Sequence, residues 1–166
     1  MVAKPTPAPT KEYWQSYLEG FENKTELPID NRKIESIQQV DKLEYHLSPA
    51  LMKSLEQFSK KERITISAVL YTCWGILLQK YSNCRDVVFG TTLSGRPPQL
   101  EGIEEVIGLF INTVPFRMIR KPDQTIIKLI KEVNHNLANH QDRMMTPLVE
   151  IQSWSHLGNR EPLFDS

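Results

Sequence analysis

Polar residues that could hold or orient a reacting group concentrate between residues 94 and 117. Ser94-Gly95-Arg96 follows an apolar, β-prone run. Glycine permits unusual backbone geometry, and arginine offers a fixed fork of donors for phosphate or carboxylate. On spacing alone, a rigid turn with a solvated arginine fits this pattern better than a binding loop does. Asn112-Thr113 opens the next β-prone run, where a polar pair can orient an amide or thioester carbonyl.

The other chemistry-bearing side chains show no catalytic or metal-binding spacing. No histidine lies in an HExxH, paired or zinc-type pattern, so a surface or locally hydrogen-bonded role is favoured for each, with His140 held open. Cys73 and Cys84 show no pairing with a histidine, and the apolar run around Cys73 predicts a buried thiol. P-loop and Gly-x-Ser-x-Gly motifs do not occur. The residues alone therefore predict neither a catalytic group nor a metal ligand.

The bulk composition predicts one packed domain. The chain has 166 residues, with 20 basic and 20 acidic side chains. The balanced charge argues against general electrostatic binding to nucleic acid, which needs clustered positive charge. No secretory signal is apparent, and no apolar run approaches the roughly 20 residues of a membrane span. We therefore expect a soluble, cytoplasmic protein without nucleic-acid or membrane partners.

Helices surround three strand candidates. Residues 1–9 contain three prolines and predict a linker, after which Thr10 could cap a first helix. Alternation over 43–47 predicts a strand, and Ser48-Pro49 and Thr65 begin two helices, the second apolar enough to predict deep burial. The runs 87–93 and 111–118 are predicted as strands, with Pro115 restricting the second to a sheet edge or a bulge. Helical patterns follow at 122–140 and 147–154. The order predicts an α/β (α+β) sandwich, a small mixed sheet packed by helices.

Several stretches, in order along the chain, resemble the condensation domains of nonribosomal peptide synthetases. Residues 107–117 (IGLFINTVPFR) resemble the family's IGxFxNTxxxR signature. His140-Gln141-Asp142, followed by Pro147-Leu148, resembles its HQD motif with a longer insertion. Further similarities are found at 86–97 (DVVFG, then SGRP), at 13–21 (the YW helix) and at 159–165, which resembles the start of the last family motif.

The resemblance implies a chloramphenicol-acetyltransferase-like fold, in which two α/β lobes face each other across a tunnel. Carrier proteins deliver phosphopantetheine thioesters from both ends, and the acceptor amine attacks the donor thioester to form an amide. The chain itself would bind no cofactor, since 4′-phosphopantetheine would arrive on the carriers. The tunnel would be lined by Asn112, Thr113, Ser94 and Gly95. It would be framed or braced by Arg96, Arg117, His140 and Asp142.

The family's catalytic HHxxxDG signature does not occur in this sequence. The resemblance therefore implies that 10–166 form an incomplete C-terminal, acceptor-side lobe that is inactive alone. Its expected partners are the N-terminal lobe, peptidyl carrier proteins and adjacent domains of a synthetase that makes antibiotics or siderophores. The apolar segment 103–111 is then expected to be exposed for the other lobe. A non-catalytic carrier-protein-binding lobe and a lobe of an ester-forming acyltransferase remain open as alternatives.

Overall fold

The computed structural model describes residues 7–22, 24–27, 42–94, 102, 105, 107–108, 110–158, 161–164 and 166. Within these residues the chain forms five helices and two strands. In chain order they are α1 (Pro7–Tyr17), α2 (Pro49–Glu62), α3 (Ile66–Ser82), β1 (Asp86–Ser94), β2 (Ile111–Ile119), α4 (Ile126–Gln141) and α5 (Leu148–Trp154). The combination of helices with a small sheet confirms the predicted α/β (α+β) class.

Local capping sets the starts of α2 and α3. The Ser48 hydroxyl accepts a hydrogen bond from the Leu51 amide at 3.3 Å, and Thr65 does the same for Ala68 at 3.1 Å. These side chains satisfy amides that have no partner inside the helix. Both starts were predicted correctly. The first helix differs, because it begins at Pro7 and so precedes the predicted cap at Thr10.

The two strands form an antiparallel ladder that pairs Asp86 with Ile119 at one end and Ser94 with Ile111 at the other. Pro115 lies opposite Gly90, whose amide donates outside the ladder, to the Ser166 carbonyl at 2.6 Å. The pair therefore exchanges no ladder hydrogen bonds, and the missing proline N–H costs none. The prediction that Pro115 lies on an edge strand is confirmed.

Two apolar clusters pack the sheet. One joins α3 and α4 to the strands through residues such as Phe89, Phe116 and Leu129. Gly75 of α3 lies so close to the Met118 side chain of this cluster that a Cβ at this position would overlap it. The other cluster joins α1 and α5 to the sheet and is built on Trp14, with Ile151 among its members.

Three local predictions were wrong: the strand at 43–47, the deep burial of the helix that begins after Thr65, and the buried thiol of Cys73. Residues 42–48 form no strand, and Leu43 is 96% exposed. The edge amides of Val88 and Arg117 already donate to the Thr25 and Tyr17 hydroxyls, so at these points the sheet has no free amide to pair with a third strand.

The helix α3 is buried along one face only, and its outer side exposes Cys73 and an apolar stripe. That stripe consists of Leu70, Trp74, Leu77 and Tyr81.

Candidate functional site

The side chain of Asn112 joins the start of β2 to the turn that follows α4. Its Nδ2 donates to the carbonyl of Met144 at 2.7 Å and to that of Thr146 at 2.7 Å. One amide group thus satisfies two carbonyls that are 32 and 34 residues away in sequence. We call this arrangement the Asn112 clamp. The clamp joins the segment that resembles the IGxFxNT motif to the turn that follows the HQD-like residues.

The turn held by the clamp is itself well bonded. The Arg143 amide donates to the His140 carbonyl at 2.9 Å, and the Thr146 amide donates to the Arg143 carbonyl at 3.1 Å. Arg143 also places its guanidinium 3.9 Å from the centre of the Tyr13 ring, a cation–π contact with α1. Asp142 caps the end of α4 and is exposed. The turn is therefore fixed to α1, α4 and β2 together.

His140 is fully buried inside a box of aromatic rings. The centre of its ring lies 4.8 Å from that of Tyr17, 5.0 Å from that of Trp14 and 5.3 Å from that of Phe116. Neither ring nitrogen has a hydrogen-bond partner among the described residues. Burial, helped by the nearby Arg143 charge, lowers the pKa of His140 to about 4. The imidazole is neutral at physiological pH and has no solvent-exposed face from which to act as a base.

Arg117 forms a buried brace between β2, β1 and the end of α1. Its Nε and Nη2 donate to the two Asp86 carboxylate oxygens at 2.9 and 2.7 Å. Its Nη1 donates to the carbonyls of Tyr17 and Glu19 at 3.1 and 2.6 Å. This bidentate ion pair uses the planar fork that lysine lacks. Four charge-assisted contacts hold the guanidinium in place, so its observed role is structural.

The Tyr17 hydroxyl closes the same edge of the sheet. It donates to the Arg117 carbonyl at 3.0 Å and accepts from the Arg117 amide at 2.8 Å. Burial raises the pKa of the Tyr17 phenol, so the proton needed for donation stays in place. The sequence does not predict this role of Tyr17, because helical spacing does not show which distant strand edge a phenol meets.

The remaining predicted site residues lie around the clamp or outside the described part of the chain. Thr113 pairs with Thr92 across the ladder, next to the pair of Asn112 with Leu93. Ser94 ends β1 opposite Ile111. Gly95 and Arg96 lie outside the described residues, so their predicted roles stay predictions. In the segment 103–111, Ile107 is fully exposed, as expected, while residues 103, 104, 106 and 109 lie outside the description.

The described residues contain no group of three or more potential metal ligands. Among the same residues, no helix combines the length and apolar character that crossing a bilayer requires.

Comparison with known proteins decides the family. A family model described as "Condensation domain" matches residues 3–166. The chain belongs to the condensation-domain family. Relatives of this condensation-domain chain include tyrocidine synthase 2 of Brevibacillus parabrevis, 39% identical over 145 residues, and gramicidin S synthase 2 of Brevibacillus brevis, 36% identical over 150 residues. Each match covers 87% of this chain but only 4% and 3% of the respective relative, so the condensation-domain chain spans a small part of their length.

Solved structures agree with this assignment at the level of the fold. The X-domain from teicoplanin biosynthesis aligns with a TM-score of 0.79 at 20% identity, covering 98% of this condensation-domain chain and 36% of that one. A four-domain nonribosomal peptide synthetase bound to AMP and glycine aligns with a TM-score of 0.73 at 19% identity, covering 93% and 12%. The predicted resemblance to condensation domains is therefore confirmed.

Proposed function

We propose that this chain is the C-terminal, acceptor-side lobe of a condensation domain, with residues 10–166 forming an incomplete lobe. The linker predicted at 1–9 would then end before α1, which begins at Pro7. The complete domain would join carrier-bound aminoacyl or peptidyl thioesters into an amide during nonribosomal peptide synthesis. The family match over 3–166 and the synthetases among the relatives support this assignment. The relatives' names point to peptide antibiotics as the class of product.

The Asn112 clamp is the observation that carries the proposal. It bonds the strand of the IGxFxNT-like motif directly to the turn of the HQD-like motif, so that the two form one rigid rim at the end of the sheet. A tunnel wall needs such rigidity, because a reacting carbonyl must be held within a fraction of an ångström of its productive position. The proposed lining residues on this rim are Asn112, Thr113, Ser94 and Gly95.

We assign supporting rather than chemical roles to the charged and aromatic residues nearby. Arg117 is bound to Asp86 and two carbonyls, which leaves little freedom to follow a substrate. His140 is buried and neutral, so it would hold the aromatic box together. Asp142 and Arg96 are proposed to frame the rim. The base that receives the amine proton would come from the HHxxxDG motif of the other lobe, which this sequence lacks.

The partners follow from the same proposal. Two peptidyl carrier proteins would present their thioesters on 4′-phosphopantetheine arms, and the N-terminal lobe and adjacent synthetase domains would complete the assembly. This chain would hold no cofactor of its own. The exposed Ile107 is proposed to contact the missing lobe, because a fully exposed isoleucine gains by burial against a partner surface.

Complementation tests the proposal. The chain would be mixed with a separately produced N-terminal lobe and two carrier proteins loaded with aminoacyl groups, and dipeptide would be followed by mass spectrometry. Dipeptide is expected only when both lobes are present. A hydroxyacyl acceptor in a parallel reaction distinguishes ester from amide formation. Absence of dipeptide, with both lobes folded by circular dichroism, would count against the assignment.

A second candidate is a protein-binding lobe without catalysis. It is favoured because the HHxxxDG signature does not occur in this sequence, while docking of a carrier protein does not need that signature. This candidate requires the isolated chain to bind a carrier protein. NMR titration of a labelled carrier protein with the chain alone separates the two, since the first candidate needs the second lobe for product.

A further inference from the structure

A basic cleft of about 530 Å³ lies at the end of the sheet opposite the Asn112 clamp. It is bounded by the end of α3, the start of β1 and the segment that follows β2. Four basic residues and one acidic residue line it: Lys80, Arg85, Arg120 and Lys121, with Asp123. The whole chain has zero formal net charge. The positive excess in this cleft is therefore local and does not reflect a generally basic protein.

The backbone that carries these cations is fixed. The Arg120 amide donates to the Arg85 carbonyl at 2.9 Å. Gln79 donates from Nε2 to the carbonyls of Arg85 and Met118 at 2.7 and 3.2 Å. The Cys84 amide donates to the Gln79 carbonyl at 3.2 Å. The starting points of the basic side chains are thus set by main-chain contacts that a charge substitution would leave in place.

The cations themselves are largely unpaired. Lys80, Arg85 and Arg120 are exposed and form no ion pair with any residue in the described ranges. Lys121 has its ammonium 3.9 Å from a Glu132 carboxylate oxygen, at the limit of an ion pair. Unpaired like charges in one cleft repel one another, and an anion placed among them relieves that repulsion.

We propose that this cleft binds an acidic segment of another polypeptide. Carboxylates match the arginine fork in two-point hydrogen bonds. A phosphate group fits less well, because the sites that hold phosphate usually offer several free backbone N–H groups. Here the amides of Lys121 and Gln124 are bonded within their own loop, and Pro122 has no N–H.

A second observation at the cleft also favours a peptide. Gln79 lies in its wall, and its Oε1 accepts no hydrogen bond from the described residues. A bound peptide supplies an N–H or O–H that can donate to this oxygen, whereas a fully ionised phosphate has no donor. The surface is at the far end of the lobe from the proposed tunnel rim, and the inference does not depend on the proposed function.

Fluorescence anisotropy with the full 166-residue chain tests the proposal. The probe is a fluorescein-labelled, glutamate-rich peptide at low ionic strength. Binding is expected to weaken as salt is added, and Arg85→Glu with Arg120→Glu should weaken it at least about tenfold, or about 1.4 kcal/mol. The matched control is Lys11→Glu with Lys61→Glu, which makes the same change in net charge on the exposed surfaces of α1 and α2 and should bind as the wild type does.

Several results would overturn the proposal. Equal weakening by the two double variants, with both folded by circular dichroism, would mean non-specific attraction. If a glutamine-rich peptide bound as tightly as the glutamate-rich peptide, charge would not determine the binding. Displacement by inorganic triphosphate at lower concentration than by unlabelled acidic peptide would assign the cleft to phosphate. Failure of the acidic peptide to bind the wild type would reject it outright.

Discussion

Burial of His140 predicts a specific loss of stability in mild acid. Its pKa is about 4 in the folded chain, against the ordinary value of 6.5. The unfolded state therefore binds more protons between these two values, and the free energy of unfolding falls as the pH falls through that window. At pH values above the pKa of the unfolded state, the imidazole is neutral in both the folded and the unfolded chain, so it does not change the free energy of unfolding.

The magnitude follows from the two pKa values. Linkage between about pH 7.5 and about pH 4.5 gives a loss of roughly 2–3 kcal/mol from this one group. Its physical source is the box of Trp14, Tyr17 and Phe116, which removes the imidazole from solvent contact and offers it no described acceptor. The positive charge of Arg143 adds to the cost. A loss of this size is a large fraction of the stability of a small domain.

Urea unfolding at the two pH values provides the assay, with His140→Phe as the test variant. Phenylalanine cannot titrate, so the variant should lose roughly 2–3 kcal/mol less than the wild type over the same window. Any packing cost of the larger ring shifts both measurements equally and leaves the difference unaffected. The control is His46→Gln, since His46 is exposed and should leave the wild-type dependence unchanged. If His140→Phe keeps the full pH dependence, the assignment of that dependence to His140 is wrong.

Three further predictions concern the clamp, the brace and the exposed segment. Asn112→Ala leaves two carbonyls without their donor and should cost about 1–3 kcal/mol, with faster amide hydrogen exchange confined to 141–147; unchanged exchange there would contradict the clamp. Arg117→Met strands the Asp86 carboxylate and should cost about 3–5 kcal/mol in urea unfolding, most of it recovered by adding Asp86→Leu; no recovery would argue against the pair. Ile107→Asp should leave the free energy of unfolding within about 0.5 kcal/mol yet weaken complementation by the N-terminal lobe; undiminished complementation would refute the proposed contact.

The features that the sequence predicted correctly depend mostly on interactions between residues that are close together in the chain. The caps at Ser48 and Thr65 act on amides three residues away, and the consequence of Pro115 follows from its missing N–H. The ordered motifs also predicted the family. These signals are readable because cause and effect lie close together in the chain, or because a pattern of several residues is specific.

The errors and omissions have a long-range origin. The targets of Asn112 lie in a turn more than 30 residues away, and the two partners of the Tyr17 hydroxyl lie 100 residues away. Alternation at 43–47 predicts a strand only if a sheet edge is free to receive it. His140 falls on the apolar face of α4, seven residues after Val133, but helical spacing does not show which distant rings enclose its imidazole.

We propose that this chain frames the condensation reaction and does not perform its proton transfer. The most direct test is the rate of dipeptide formation by the complemented domain carrying His140→Phe. The buried, neutral imidazole predicts a rate close to that of the wild type at neutral pH. A fall of about a hundredfold or more, the size expected on losing a general base, with the fold intact, would contradict the claim.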